Sequence, residues 1–256
     1  PNLKWETTRQ LNVGLDFGLW KNRVTGTIDV YDKQTDDLLL NAPLPPSAGF
    51  TSLLINRGSI SNKGVELTLS GTLINKNDFS IDLGGNIAFN KSKIQNLGGS
   101  PEDIYINGTL ENRVFYRGEN ISTGNYFRAP ANIFMEGEQI GLFYGFETDG
   151  IYQTDDDITV AGAQAGDVRI VDQDGDDVIT EADRTIIGNP NPDFVYGGYL
   201  NMNYKRFSLS VQVNGVYGNE IANGNLIQLG TAEGRSVNIL SEAYNNAWRP
   251  DAQSNS

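Results

Sequence analysis

Strict alternation of apolar and polar residues is the feature that most constrains how this chain can fold. In residues 10–20, QLNVGLDFGLW, every second side chain from Leu11 to Leu19 is large and apolar, and the residues between them are Gln, Asn, Asp and Gly. Successive side chains of a β-strand point to opposite faces, so this segment predicts a strand with one apolar and one polar face. The fold then depends on whether the apolar face meets a protein core or lipid.

Five further segments repeat the pattern, and they pair into hairpins. They are residues 23–30, 65–73, 79–89, 194–204 and 207–217. Short polar turns at residues 21–22, 75–78 and 205–206 join them in pairs, whereas the other connections are long. Short turns at one end and long loops at the other are typical of outer-membrane barrels, whose long loops are extracellular.

The spacing of aromatic residues on the apolar faces supports a membrane-spanning sheet. Three pairs lie ten residues apart: Phe79 and Phe89, Phe194 and Tyr204, and Phe207 and Tyr217. Ten residues at about 3.3 Å each, tilted by about 40°, rise roughly 25 Å, the height of the apolar band that aromatic girdles flank. The opposite faces are rich in Asn, Ser, Thr, Gln and Gly, which suits a water-filled lumen.

The expected fold is therefore all-β: an antiparallel transmembrane β-barrel segment of about six long strands in hairpins, with long extracellular loops. A soluble antiparallel sandwich is the alternative, because its strands also alternate. The expected organisation is barrel strands 1–4 in residues 1–91 with a proline-containing loop at 35–57, a long acidic extracellular region at 92–193, a barrel hairpin at 194–218, and an extracellular loop with a short helix at 219–256.

The charge distribution and the absence of His and Cys limit the partners and the chemistry that this chain can have. The formal net charge is −13, and residues 92–193 hold 19 of the 32 acidic and 6 of the 19 basic residues, so this insert accounts for the whole imbalance. No basic patch offsets phosphate repulsion, so nucleic acid is not an expected partner. The chain has no His and no Cys, which excludes imidazole acid–base chemistry, thiol chemistry and Cys/His zinc sites.

Five segments of the chain form a recognisable set. They are LKWETTRQLNVGLDFGLWKNRVTGTIDVYDKQTDDLLL (3–40), LINRGSISNKGVELTLSGTL (54–73), GEQIGLFYGFETDGIYQ (137–153), GDVRIVDQDGDDVITEADRTIIGNPNPDFVYG (166–197) and NAWRPD (246–251). Taken together, these segments resemble the barrel region of SusC/RagA-like TonB-dependent transporters, and the resemblance covers nearly the whole chain in the right order.

This resemblance implies a barrel of about 22 strands in the outer membrane of a Gram-negative bacterium, plugged by a separate N-terminal domain. It implies import of oligosaccharides or peptides with a SusD-like surface lipoprotein, powered through TonB, with outer-membrane lipid around the barrel. This chain would supply six strands. We expect the plug, the TonB-contacting segment, the signal peptide and the final barrel strand to belong to other parts of a longer protein.

The acidic insert contains a candidate calcium loop at residues 172–183, DQDGDDVITEAD. Calcium prefers six to eight oxygen ligands, and short carboxylates at alternate positions of a tight loop supply them. The predicted ligands of a structural Ca²⁺ are Asp172, Asp174, Asp176, the carbonyl of Val178, Thr180 and Asp183, at loop positions 1, 3, 5, 7, 9 and 12. Asp177 stands at position 6, where a positive φ favours Gly, and position 12 is Asp instead of Glu; a solvated acidic turn is the alternative.

Catalysis is not expected. A glycosidase needs two carboxyl groups in a sheltered cleft, whereas most acidic residues here lie in runs such as 155–157. Two alternatives to an importer stay open: a secreted, calcium-stabilised β-domain that binds glycans, and an enzyme acting on polysaccharide.

Two other segments carry predictions of local structure. Val237, Leu240, Tyr244 and Trp248 form one stripe at helical spacing, which predicts a loop helix within residues 231–249 that ends before Pro250. Residues 41–50, NAPLPPSAGF, predict a stiff proline-rich connector.

Overall fold

A computed structural model describes residues 3–43, 52–118, 120–122, 128–230 and 238–255. Strands dominate, at 57% of the described residues against 6% in helices. The strands are β1 (Thr7–Leu19), β2 (Val24–Asp36), β3 (Leu39–Pro43), β4 (Ser52–Asn56), β5 (Ser59–Lys76), β6 (Phe79–Asn96), β7 (Glu102–Ile106), β8 (Thr109–Arg113), β9 (Phe115–Arg117), β10 (Asn120–Ser122), β11 (Arg128–Pro130), β12 (Asn132–Met135), β13 (Leu142–Phe146), β14 (Thr148–Ile151), β15 (Val168–Ile170), β16 (Arg184–Gly188), β17 (Phe194–Tyr204) and β18 (Phe207–Tyr217). The α-helices are α1 (Gly224–Gly230) and α2 (Ser241–Asn245), and Glu181–Asp183 form a 3₁₀ turn. No helix in these ranges is long and apolar enough to cross a bilayer.

The six predicted strands form one antiparallel sheet in the order β1-β2-β5-β6-β17-β18, which confirms the expected all-β fold. Three of them extend well beyond the predicted bounds: β2 continues to Asp36, and β5 and β6 are each 18 residues long. Tight turns close the hairpins at one end; in the first, Trp20, Lys21 and Asn22 all have positive φ. At β1 and β18 the sheet ends, and the barrel is not closed within this chain.

Cross-strand register keeps the apolar residues on one face throughout the sheet. Leu15 lies opposite Ile28, and Ile28 lies opposite Leu67 on its other side. Leu67 in turn faces Ile87, which faces Tyr196. Because a slip of one residue would move a whole strand's side chains to the other face, this register gives a continuous apolar surface five strands wide.

The chain divides into two compact units. The first comprises residues 1–98, 135–140 and 191–219 and contains the six-stranded sheet. The second comprises residues 99–134, 141–190 and 220–256. It contains a four-stranded sheet, β16-β13-β12-β9, and small hairpins such as β7-β8 and β14-β15. Its buried side chains form a small core of its own: Ile104, Val114, Ile133, Leu142, Tyr144, Tyr152 and Ala182.

One of the two local predictions needs correction, and the other falls mostly outside the described residues. The predicted helix is only one turn and a half long, Ser241–Asn245, and Trp248 lies beyond it, donating a hydrogen bond from Nε1 to Oε1 of Gln153 at 3.0 Å. Val237 lies outside the described residues. Within the predicted proline-containing loop at 35–57, β3 and β4 pair as a hairpin. Residues 44–51, with most of the proline-rich segment at 41–50, lie outside the described residues.

Candidate functional site

The apolar face of the six-stranded sheet carries an aromatic row near each end. At the loop end, the ring of Phe194 lies 5.7 Å from that of Phe89 and stacks on that of Tyr217 at 5.0 Å, measured between centroids. At the turn end, Phe79 and Tyr204 meet edge to face at 6.1 Å. Girdles of aromatic residues flank the apolar band of a membrane β-barrel at both boundaries, and these rows mark two such boundaries.

Between the rows, the apolar side chains of the described strands are exposed. Leu15 is 60% exposed, Leu83 in the middle of the sheet 39% and Val213 53%. A soluble sandwich buries this face against a second sheet about 10 Å away. The described strands of the first unit form no such layer over it, so hydrocarbon is the environment that suits a continuous apolar face of this size.

The opposite face carries a network of short polar side chains. Thr27 donates a hydrogen bond to Oδ1 of Asp16 at 2.7 Å, and Ser210 donates to Oδ1 of Asn201 at 2.7 Å. The hydroxyl groups of Thr25 and Ser70 lie 2.9 Å apart. Hydroxyl, amide and carboxylate groups of this kind suit contact with water, as expected for a lumen wall.

Two tyrosines on the polar face were not identified from the sequence. Tyr199 lies across Gly84, where a Cβ atom would come within 2.5 Å of its ring. Tyr31 covers Gly64 in the same way and donates a hydrogen bond to Asn90 at 3.1 Å. The alternation pattern could have identified them, because each tyrosine occupies a position that belongs to the polar face of its strand. These rings give the lumen wall two flat amphipathic surfaces.

The candidate calcium loop lies in the second unit, and the structure brings its first three predicted ligands together. Carboxylate oxygens of Asp172, Asp174 and Asp176 all lie within 4.8 Å of one another. Asp172 shapes the turn, because Oδ1 accepts from the Gly175 N–H at 2.6 Å and Oδ2 from the Asp177 N–H at 2.8 Å. Each carboxylate oxygen has a further lone pair, so these bonds leave it able to bind a cation.

Asp177 has the positive φ that its loop position requires, at 60°. Asp tolerates this left-handed conformation better than most residues, although less well than Gly. The loop therefore keeps its tight turn without the glycine.

The last predicted ligands have a different local role. Asp183 is fully buried, and its oxygens accept hydrogen bonds from the backbone N–H groups of Gln173 at 2.8 Å and Thr180 at 2.7 Å. The Thr180 hydroxyl accepts from the Ala182 N–H at 3.1 Å, which completes a capping box around the 3₁₀ turn. The Val178 side chain is exposed, and its N–H donates to Asp176 at 2.8 Å. Asp183 thus ties the end of the loop to its beginning.

The environment of the loop shifts the pKa values of two of its carboxyl groups in opposite directions. Desolvation, and then repulsion by the carboxylates of Asp176, Asp183 and Asp172, raises the pKa of Asp174. The hydrogen bond from the Asp177 N–H is the main cause that lowers the pKa of Asp172. A bound cation would relieve the repulsion at Asp174, since an opposite charge favours the ionised form of a carboxyl group.

Comparison with known proteins identifies relatives for almost the whole chain. The family model for the TonB dependent receptor-like β-barrel matches residues 1–216. TonB-dependent receptor P3 of Formosa agariphila is 35% identical over 254 residues, covering 97% of this chain and 24% of that protein. TonB-dependent receptor SusC of Bacteroides thetaiotaomicron is 32% identical over 222 residues, covering 86% of this chain and 20% of that protein.

A solved structure contains a region with the same fold as this chain. The structure of the RagAB peptide transporter matches with a TM-score of 0.72 and 25% sequence identity, covering 98% of this chain and 26% of that chain. The chain spans about a quarter of the length of the curated relatives and solved chain that it matches. The matching proteins are named as receptors and transporters, which is consistent with a protein that is not an enzyme.

Proposed function

The chain belongs to the TonB-dependent receptor-like β-barrel family of the Gram-negative outer membrane, and on that premise we propose that it forms a section of the wall and loops of a nutrient importer. The observation that carries the proposal is the two-faced sheet. Its apolar face lies between aromatic rows that are spaced to flank a bilayer, while its polar face is lined by hydroxyl and amide groups. A wall of this kind separates lipid from a water-filled passage.

The proposed cargo is an oligosaccharide or a peptide. A solved structure similar to this chain is that of the RagAB peptide transporter, which supports a peptide. The resemblance of the chain to SusC/RagA-like transporters, which import oligosaccharides or peptides, supports an oligosaccharide as well. The polar face supports a cargo rich in hydrogen-bonding groups, because Asn, Ser and Thr side chains recognise sugar hydroxyl groups and peptide amides alike. Tyr31 and Tyr199 add surfaces on which a sugar ring or an apolar side chain can lie.

The proposed partners are a SusD-like surface lipoprotein and TonB. TonB rests on the family, in which receptors are named for their dependence on TonB. The lipoprotein rests on the similarity to SusC and to the RagAB transporter. Within the chain, the second unit offers a surface for a lipoprotein, because it is a folded region with a small core of its own. TonB would act through parts of the protein outside this segment.

Deletion of the gene in its native host tests the proposal. The deletion strain should lose growth on one class of carbon source, either defined oligosaccharides or peptide mixtures, and the full-length gene should restore it. Growth on simple sugars and amino acids should be unaffected, because these cross the outer membrane through general porins. Wild-type growth on every oligosaccharide and peptide mixture would refute the importer.

We also propose that residues 172–183 bind a structural Ca²⁺ through Asp172, Asp174 and Asp176, with Val178, Thr180 and Asp183 at the remaining predicted positions. The convergence of three carboxylates and the positive φ of Asp177 support it. Isothermal titration calorimetry of the full-length protein should show a calcium heat that Asp172→Ala abolishes and that Asp155→Ala, in an exposed acidic run, leaves intact. Equal heats in both variants would contradict the proposal.

A further inference from the structure

Three lysines lie on the apolar face of the sheet just beyond the aromatic row at the loop end. Lys63 of β5 lies directly opposite Lys91 of β6, and Lys93 lies opposite Ser61. Alternation puts all three on the same face as Val65 and Phe89, which are also opposite one another. We call Lys63, Lys91 and Lys93 the lysine rim.

Ion pairs within the sheet leave part of this charge uncompensated. Lys63 pairs with Asp32 at 2.8 Å between Nζ and Oδ2. No ion pair joins Lys91 or Lys93 to any described residue, and both side chains are exposed. Like charges directly opposite one another on neighbouring strands destabilise a sheet, so the pair of Lys63 and Lys91 favours a bound anion.

The surroundings of the lysine rim restrict what that anion can be. The lysines border an open groove of ≈ 610 Å³ that is also lined by Val13, Val65 and Phe89. The groove is therefore cationic beyond Phe89, on the side of the long loops. Its remaining part is apolar and continues into the membrane-facing surface. A ligand complementary to both parts has an anionic head and a hydrocarbon tail.

We propose that the lysine rim binds the phosphate group of an outer-leaflet lipid whose acyl chain lies in the apolar part of the groove. Ammonium groups form strong charge-assisted hydrogen bonds with phosphate oxygens. Lysines near a membrane surface also attract anionic lipids. Simple extension of the lysine side chains into water, without a specific lipid, is the competing explanation. The proposal rests on the outer-membrane location of the family and is independent of what the protein imports.

Binding of phosphorylated lipid to the full-length protein tests the lysine rim. The protein is purified in a nonionic detergent and titrated with diphosphoryl lipid A, and bound lipid is counted by native mass spectrometry. The double variant Lys91→Gln/Lys93→Gln should bind roughly 30-fold more weakly, the loss expected for two lysines at an anionic surface. Lys91→Arg/Lys93→Arg keeps both charges and should bind within about twofold of the wild type.

Lys33→Gln is the matched control, because Lys33 adjoins Asp32 in β2 but faces the polar side, opposite Gln10 and Asn62. It should leave lipid binding unchanged. Heat-dependent electrophoretic mobility verifies that each variant forms a closed barrel. Wild-type binding by the glutamine double variant, an equal loss in Lys33→Gln, or displacement of the lipid by inorganic phosphate at equal phosphate concentration would overturn the proposal; the last result would show a site for free anions. Uptake of cargo is not part of this readout.

Discussion

The two units of this chain distribute their apolar residues in opposite ways. The six-stranded sheet exposes Leu15, Leu83 and Val213 over a continuous face, whereas the second unit buries Ile133 and Leu142 in a small core. Both arrangements follow from one rule, that apolar surface avoids water. The difference shows that the surroundings change along the chain: the sheet is built for hydrocarbon outside and water inside, and the second unit for water outside.

The largest expected effect is in the core of the second unit. Ile133 has no exposed surface, so Ile133→Ala should lower the stability of this unit by about 2–5 kcal/mol through lost burial and a residual cavity. Ile187→Ala is the control, because Ile187 is largely exposed. Hydrogen exchange of residues 99–134 and 141–190 in the full-length protein measures the change. Equal exchange in the two variants would show that the second unit has no true core.

The next effect tests the two faces of the sheet. Leu83→Arg places a charge on the apolar face midway between the aromatic rows and should cost about 2–4 kcal/mol of barrel stability. Asn86→Arg lies three residues along the same strand on the polar face, opposite Gly197, and should be tolerated. Folding titrations into lipid vesicles compare them. Equal tolerance would contradict the assignment of lipid and lumen faces.

A smaller effect is expected at the buried carboxylate of the second unit. Asp183→Ala removes the acceptor for the N–H groups of Gln173 and Thr180, and should destabilise the loop by about 1–3 kcal/mol. Limited proteolysis of the full-length protein should then cut within residues 172–183 while the strands stay protected. Unchanged proteolysis would mean that the capping box contributes nothing to the loop.

The smallest effect concerns Asp177. Asp177→Gly should stabilise the loop by at most about 1 kcal/mol, because Gly adopts a positive φ without strain. Hydrogen exchange across residues 172–183 should slow slightly, whereas Asp177→Val should speed it, since a β-branched side chain is strained there. Faster exchange in the glycine variant would indicate that the Asp177 carboxylate itself holds the loop.

The sheet was predictable from the sequence because its signal is periodic and long. Alternation from Leu11 to Leu19 gives both the strand and its faces, and the ten-residue interval between Phe79 and Phe89 gives the boundaries of the apolar band. The strand ends were less predictable. Beyond Phe89, the apolar face of β6 continues with Lys91 and Lys93, so the hydrophobic pattern stops although the hydrogen-bonded ladder continues.

The second unit was much harder to predict. Its strands are three to five residues long, too short for alternation to stand out, and non-local pairs such as β13 with β16 hold it together. Spacing identified the carboxylates of Asp172, Asp174 and Asp176, but it did not reveal that Asp183 caps a 3₁₀ turn. The stripe that ends at Trp248 predicted a longer helix than α2. That prediction failed because the Trp248 indole does not lie on the helix but donates a hydrogen bond to Gln153, far away in the sequence.

The fixed interval between the two aromatic rows matches the sheet to a bilayer of one particular thickness. Its apolar band is roughly 25 Å tall, shorter than the 30 Å hydrocarbon layer of an average membrane and suited to a thin one such as the bacterial outer membrane. In thicker bilayers the surrounding acyl chains have to compress against this wall, at a cost of a fraction of a kcal/mol per ångström of mismatch. Hydrophobic matching therefore retains such a protein in its own membrane and sets the local membrane thickness around it.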